Sequence, residues 1–166
     1  MKLLAFPTQL WKSAKTTLGP MAPYLLLAGR FFVGVVFLYS GYSKLTQPSE
    51  YFELAISFYQ VVPESLLHPI ALVLPWFEYL MGAFLIVGYA VPLAGGILSV
   101  LTALFQLLLG QALVRRLPID ECGCFGGGFI HLSLYQSFML DTALLLILIQ
   151  IATSDKHLFS LDAKLH

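Results

Sequence analysis

Four apolar stretches, Met21 to Ser43, Leu66 to Tyr89, Val91 to Val114 and Phe129 to Ile151, take up most of this chain of 166 residues. Each holds about 20 residues or more, and a helix of that length crosses the roughly 30 Å of hydrocarbon in a bilayer. A segment in that solvent has to satisfy its backbone groups internally, so the expected fold is all-α, an integral membrane four-helix bundle. Composition points the same way, with 58% of residues hydrophobic and 11% charged, far from a soluble globular average. Nine basic residues balance nine acidic ones. With no basic excess to neutralise a phosphate backbone, nucleic-acid binding is set aside and the lipid bilayer is the expected surrounding.

The connections divide the chain into an N-terminal interfacial segment (1–20), a four-helix membrane domain (21–152) and a cytoplasmic C-terminal tail (153–166). Met1 to Pro20 carries Lys12 and Lys15 after an apolar start and lacks the continuous apolar core of a signal peptide, so a retained first helix is expected. Between the first two spans, Pro48 and Ser49 offer a helix start. Phe52, Ile56 and Tyr59 then recur at helical spacing, which predicts a short amphipathic helix lying on the membrane. Gly88 to Pro92 is the only breaker between spans two and three, and predicts a tight antiparallel hairpin. Three Lys in the N-terminal segment and two in the tail stand against Lys44, Arg115 and Arg116 on the other side. That count favours a multi-pass protein of the cell inner membrane with both termini cytoplasmic and the last loop extracytoplasmic.

The last loop, Arg115 to Gly128, reads RRLPIDECGCFGGG. Its proline and glycines forbid a continuous helix and put Cys122 and Cys124 in one tight turn. Two chemistries fit this pair. A disulfide across Gly123 would be strained and would close too short a loop to act as a staple, so it would be oxidising and suited to accepting electrons from a thiol. The orientation inferred from Lys and Arg places it on the oxidising side. Alternatively, two thiolates suit Cu(I), with His131 as a third ligand, and zinc would have to draw on Asp120, Glu121 and His131. The two acids are expected to raise the pKa of Cys122 and Arg115, Arg116, Lys44 and His131 to lower that of either thiol, so the sequence favours neither sulfur as the attacking one. His131 fits either a polar helix start or a proton carrier.

The third span has no charged residue, whereas the others carry Arg30, Glu78 and Asp141. Counting depth from the span ends at about 1.5 Å per residue brings all three to nearly one level. An Arg30 cluster with Glu78, Asp141 or both is therefore expected, as a polar clamp or as a proton site, since one Arg with two carboxylates leaves an excess acid. Gln106 and Gln111 are expected to hydrogen-bond between helices. Arg30, Gly34, Phe37, Gly41 and Lys44 recur at intervals of four, three, four and three and share one helix face. Its glycines suit close helix packing, and the face offers a path for electrons or a quinone ring up to Lys44.

Arg30, Gly34, Phe37, Ser40, Gly41 and Lys44-Leu45 resemble the opening of the DoxX-like four-helix membrane proteins, and the resemblance extends through LPWFE at Leu74 to Glu78. CGCFGG at Cys122 to Gly127 narrows it to the branch similar to MauE, the methylamine-utilisation membrane protein. The resemblance covers most of Tyr24 to Ile151. It implies a four-helix bundle with a role in disulfide formation or electron transfer, a thioredoxin-like partner in the MauE case, and quinone-linked thiol oxidation in some DoxX relatives. By position, Cys122 and Cys124 would be the redox pair, and Arg30, Lys44 and Glu78 the polar positions. DsbB-type and vitamin-K-reductase-type oxidases have a similar architecture, but the chain lacks their second cysteine pair, which excludes a relay through two disulfides. The expected function is a membrane thiol–disulfide oxidoreductase that exchanges electrons with an extracytoplasmic thioredoxin-like protein or small thiol, with quinone as the candidate cofactor. The alternative is a small transporter or assembly subunit that works through Arg30, Glu78 and Asp141 and uses the cysteines as a metal or sensor site.

Overall fold

The computed structural model describes residues 21–117 and 132–154, which form five helices. These are α1 (Ala22–Leu45), α2 (Ser49–Ser57), α3 (Glu64–Val87), α4 (Val91–Arg115) and α5 (Leu134–Thr153). By length and composition α1, α3, α4 and α5 can each cross a membrane, so the chain is an all-helical, multi-pass membrane protein. The short helix stands where the spacing of Phe52 and Ile56 puts it.

Local chemistry sets the ends of these helices. Gly88, at φ 80°, closes α3 in the left-handed conformation and donates its N–H to the Phe84 carbonyl. Ala90 is also left-handed, and Pro92 sits in the first turn of α4, so the chain reverses within a few residues. The last helix starts later than its apolar run suggests, at Leu134 rather than Phe129. Ser133 forms a capping box with Gln136, and a hydropathy count does not register a cap.

In the bundle α1 packs chiefly on α3, and α4 chiefly on α5, with lighter α3–α4 and α1–α5 contacts joining the two pairs. Val33, Leu85, Leu98 and Leu148 are fully buried at the centre. Large apolar side chains such as Trp76, Phe77, Leu104, Leu107 and Leu146 point outward, where lipid, not water, is the matching solvent.

The helix α2 turns Phe52 and Ile56 onto Leu67 and Ala71 of α3, so its apolar face rests on protein. Tyr59, next in the same spacing, joins a different cluster with Leu109 and Ala112 of α4 and Leu134 of α5. Gln60 follows with a left-handed φ of 55° and accepts from the Arg115 guanidinium at 3.2 Å. The connection from α2 to α3 is thereby tied to the last turn of α4 and the first residue of α5. That end of the bundle is where the chain leaves for and returns from residues 118–131.

Candidate functional site

The site begins with glycine. A Cβ on Gly41 would lie 2.6 Å from the Tyr79 nitrogen and 2.7 Å from the Pro75 oxygen, and one on Gly82 would lie 2.7 Å from the Leu38 nitrogen. Backbone therefore meets backbone along the α1–α3 seam, an approach that side chains at these positions would prevent. The contacts fix an antiparallel register with Gly41 beside Pro75 and Tyr79, and Gly34 beside Gly82. Glu78 thus comes level with Ser40 and Lys44.

These three side chains form a closed polar knot. The Lys44 ammonium donates to both carboxylate oxygens of Glu78, at 2.7 and 2.9 Å, and to Ser40 Oγ at 3.1 Å. The Ser40 hydroxyl in turn donates to Glu78 Oε2 at 3.0 Å. The Lys44 and Glu78 side chains are each 1% exposed. Two aromatic rings complete the shell around the ammonium: Phe52 of α2, with its centroid 4.7 Å away, and Phe105 of α4 at 5.4 Å. Rings presenting their faces at this range attract a cation without needing a proton acceptor.

A cavity of about 30 Å³ lies beside the knot, lined by Ser40, Lys44, Glu78, Thr102, Phe105 and Asp141 together with apolar neighbours. The structure therefore brings Glu78 and Asp141 to one cavity, which Lys44 also lines. Arg30 is buried with its guanidinium 5.5 Å from the Phe31 ring, and lies ten residues before Ser40, about 15 Å along the helix. The expected Arg30–Glu78 contact does not form. Depth counted from span ends assumes that the ends lie flush, whereas the first turns of α3 run past the end of α1 and pack beside α2. The four-three periodicity leading to Lys44 was the better guide, because it placed that lysine on the face which meets α3.

The two glutamines behave differently. Gln106 Nε2 donates to Thr142 Oγ1 at 2.6 Å, linking α4 to α5. Gln111 instead donates to the Tyr59 carbonyl, at 3.4 Å, in the turn after α2. Sequence reasoning passed over Ser137, whose side chain is 1% exposed. Its spacing of four from Asp141 was the available signal. Cys122, Cys124 and His131, with Asp120 and Glu121, lie outside the described residues. The helix ends that flank them are fixed: Leu134 packs in the cluster that also holds Leu117 and Phe105, the ring that covers Lys44.

A family model described as methylamine utilisation protein MauE matches residues 22–154, a region that spans every described helix and includes the Cys-Gly-Cys segment. No curated protein and no solved structure matches the chain.

Proposed function

The chain belongs to the MauE family, and from that premise we propose that it serves methylamine utilisation as a membrane thiol–disulfide oxidoreductase. In this reading Cys122 and Cys124 exchange electrons with an extracytoplasmic thioredoxin-like protein or small thiol and pass them to a quinone. The observation that carries it is the Cys-Gly-Cys sequence inside the family-matched region, between two helix ends that share one packed cluster. Strain in so small a ring would favour its reduction. Kinship with the wider DoxX-like proteins is part of the same reading.

The chemistry closes without a second cysteine pair. A partner dithiol gives two electrons and two protons to the Cys122–Cys124 disulfide, becoming a disulfide itself, and a quinone then takes two electrons and two protons from the reduced pair. Lys44, Glu78 and Ser40 hold α1 against α3, and His131, seven residues after Cys124 in the sequence, is assigned as a proton acceptor. Both termini are assigned to the cytoplasm and the cysteine segment to the opposite side, on the Lys and Arg count.

Measured against a glutathione buffer, the pair should have a potential less negative than about −300 mV, the region below which structural disulfides lie. Cys122→Ser and Cys124→Ser should each abolish oxidation of a partner thiol with the bundle still folded, and one of them should trap a mixed disulfide. A pair that stays reduced in oxidising buffer and holds a stoichiometric metal ion overturns the redox reading in favour of the metal or sensor site. A membrane-impermeant thiol reagent should label the cysteines of intact cells after mild reduction. Labelling only after lysis reverses the sidedness.

A further inference from the structure

With the two residues that follow it, α2 has three faces. Phe52, Ile56 and Tyr59 recur at intervals of four and three and are each buried against protein. This is the face that spacing alone would lay on a membrane, and the structure turns it inward. Tyr51, Leu54 and Phe58, at intervals of three and four, form a second apolar face that points outward, 65, 55 and 53% exposed. Glu50, Glu53 and Ser57 have the same spacing and form the third face, which is polar. It continues onto α3, where His68 Nδ1 lies 3.1 Å from Glu53 Oε2 and Glu64 stands one turn before His68.

The α1–α3 register gives the depth of this helix. Gly41 lies beside Pro75 and Tyr79, so Leu45, four residues on, is level with about Val73 of α3. At 24 residues α1 spans the hydrocarbon with its last turn at the edge. Phe52 and Ile56 pack with Leu67 and Ala71, which lie beyond the level of Val73 by about 3–9 Å at about 1.5 Å per residue. A bilayer holds about 30 Å of hydrocarbon within about 40–45 Å in all, leaving a headgroup layer of about 5–8 Å on either side. The two depths coincide. A helix at that level meets water on one side, acyl chains on another and the bundle on a third, and α2 has one face for each. Its outer face is continuous with the apolar surface of the spans, where Tyr42 near the end of α1 and Leu66 and Val73 of α3 are also exposed.

We propose that the outer face of α2 seats in the lipid interface of the bilayer, so that the membrane itself holds Phe52 over the Lys44 ammonium. Tyr51, Leu54 and Phe58 enter the acyl boundary, the tyrosine keeping its hydroxyl among the headgroups, while Glu50, Glu53, Ser57 and His68 stay on the water side. At nine residues α2 is too short to be a stable helix alone, and burial of both apolar faces, one in protein and one in lipid, holds it in place. Phe52 lies on the inner face with its ring centroid 4.7 Å from Lys44 Nζ. Whatever seats α2 therefore also keeps water from the buried Lys44–Glu78 pair. The seat is independent of the thiol chemistry.

The full chain carrying Cys122→Ser/Cys124→Ser, reconstituted in phosphatidylethanolamine–phosphatidylglycerol vesicles, takes single spin labels through Tyr51→Cys, Leu54→Cys, Phe58→Cys, Glu50→Cys and Ser57→Cys. Relaxation by oxygen, which concentrates in lipid, set against relaxation by a nickel chelate, which stays in water, reads the surroundings of each label. Labels at Tyr51, Leu54 and Phe58 should relax chiefly with oxygen, like a reference label at the exposed Leu107 of α4, and those at Glu50 and Ser57 chiefly with nickel. Outer-face labels that relax with nickel leave α2 in water, and labels shielded from both reagents mark a protein partner or a second copy. Either result overturns the seat. With its own cysteines in place, Leu54→Gln/Phe58→Gln should raise modification of Lys44 by a water-soluble amine reagent about tenfold or more, read by mass spectrometry, because two apolar side chains lose their reason to stay in lipid. Leu54→Met/Phe58→Met, still apolar, should keep the wild-type rate. An unchanged rate in the glutamine variant, or an equal rise in the methionine variant, overturns the hold of the membrane on Phe52.

Discussion

The two helix pairs of this bundle are held by different means. Between α1 and α3 the backbones touch, at Gly34, Gly41 and Gly82, and a fully buried ion pair closes the seam near its end. Between α4 and α5 the nearest comparable glycine, Gly95, would set a Cβ 3.2 Å from the Ile151 Cγ2 methyl and 3.4 Å from the Ala152 nitrogen, a looser approach than at Gly41 or Gly82. A polar link there runs from Gln106 to Thr142. Lipid removes most of the hydrophobic gain from helix association, leaving packing and polar contacts to decide it. The α1–α3 pair is therefore the rigid half, with geometry dictated by few residues, and the α4–α5 pair spreads its adhesion over many apolar contacts.

The largest effect should come from splitting the ion pair. Lys44→Met leaves Glu78 buried with Ser40 as its remaining donor, and breaking such a pair costs about 3–5 kcal/mol. The double variant Lys44→Met/Glu78→Leu should recover much of this loss, since apolar residues of similar volume replace buried pairs at little cost. Unfolding in denaturing detergent, monitored by helicity, gives both values. The same cycle run on Arg30→Ala and Glu78→Gln should show no coupling, because Arg30 lies about 15 Å along α1 from Ser40, which bonds Glu78. Coupling there would restore the cluster expected from depth alone.

Glycine substitutions sharpen the contrast. Gly41→Ala puts a methyl group into the Pro75–Tyr79 backbone, which no side-chain rotation relieves, and should cost about 1–3 kcal/mol as overpacking. Gly95→Ala should cost less, because its nearest contacts are at 3.2–3.6 Å instead of 2.6–2.9 Å, and Gly96→Ala, with nothing within 4 Å, should be close to neutral. An equal loss at Gly41 and Gly95 would show the two seams to be alike.

These differences also explain what the sequence disclosed. The spans were legible because lipid demands long uninterrupted apolar helices, and α2 because Phe52 and Ile56 mark a face. Glu78 was recognisable as a charge that must be paired, but its partner was not. Pairing depends on how far one helix slides along another, and that register comes from three glycines meeting a backbone, a contact between positions some forty residues apart. Lys44 near a helix end looked like a residue that reaches toward the surface, whereas α2 folds back over it and seals it with Phe52. Ser137 escaped notice because a serine in an apolar helix ordinarily bonds its own backbone. Only burial and bonding show that this one does not.

The smallest effect tests the looser half. Gln106 gives its amide hydrogen to Thr142, but its Oε1 is buried without a hydrogen-bond partner among the described residues. Gln106→Leu therefore removes one favourable bond and one unsatisfied acceptor together, and Thr142 keeps its own bond to the Phe138 carbonyl. The two changes oppose each other, and inter-helix hydrogen bonds in lipid average about 0.6 kcal/mol. A loss of that size or smaller in detergent unfolding, with similar coupling in a cycle against Thr142→Val, is the expected result. A loss approaching that of Lys44→Met would mean that α4 and α5 are also held by a decisive polar contact, and the distinction between a rigid half and a spread half would fail.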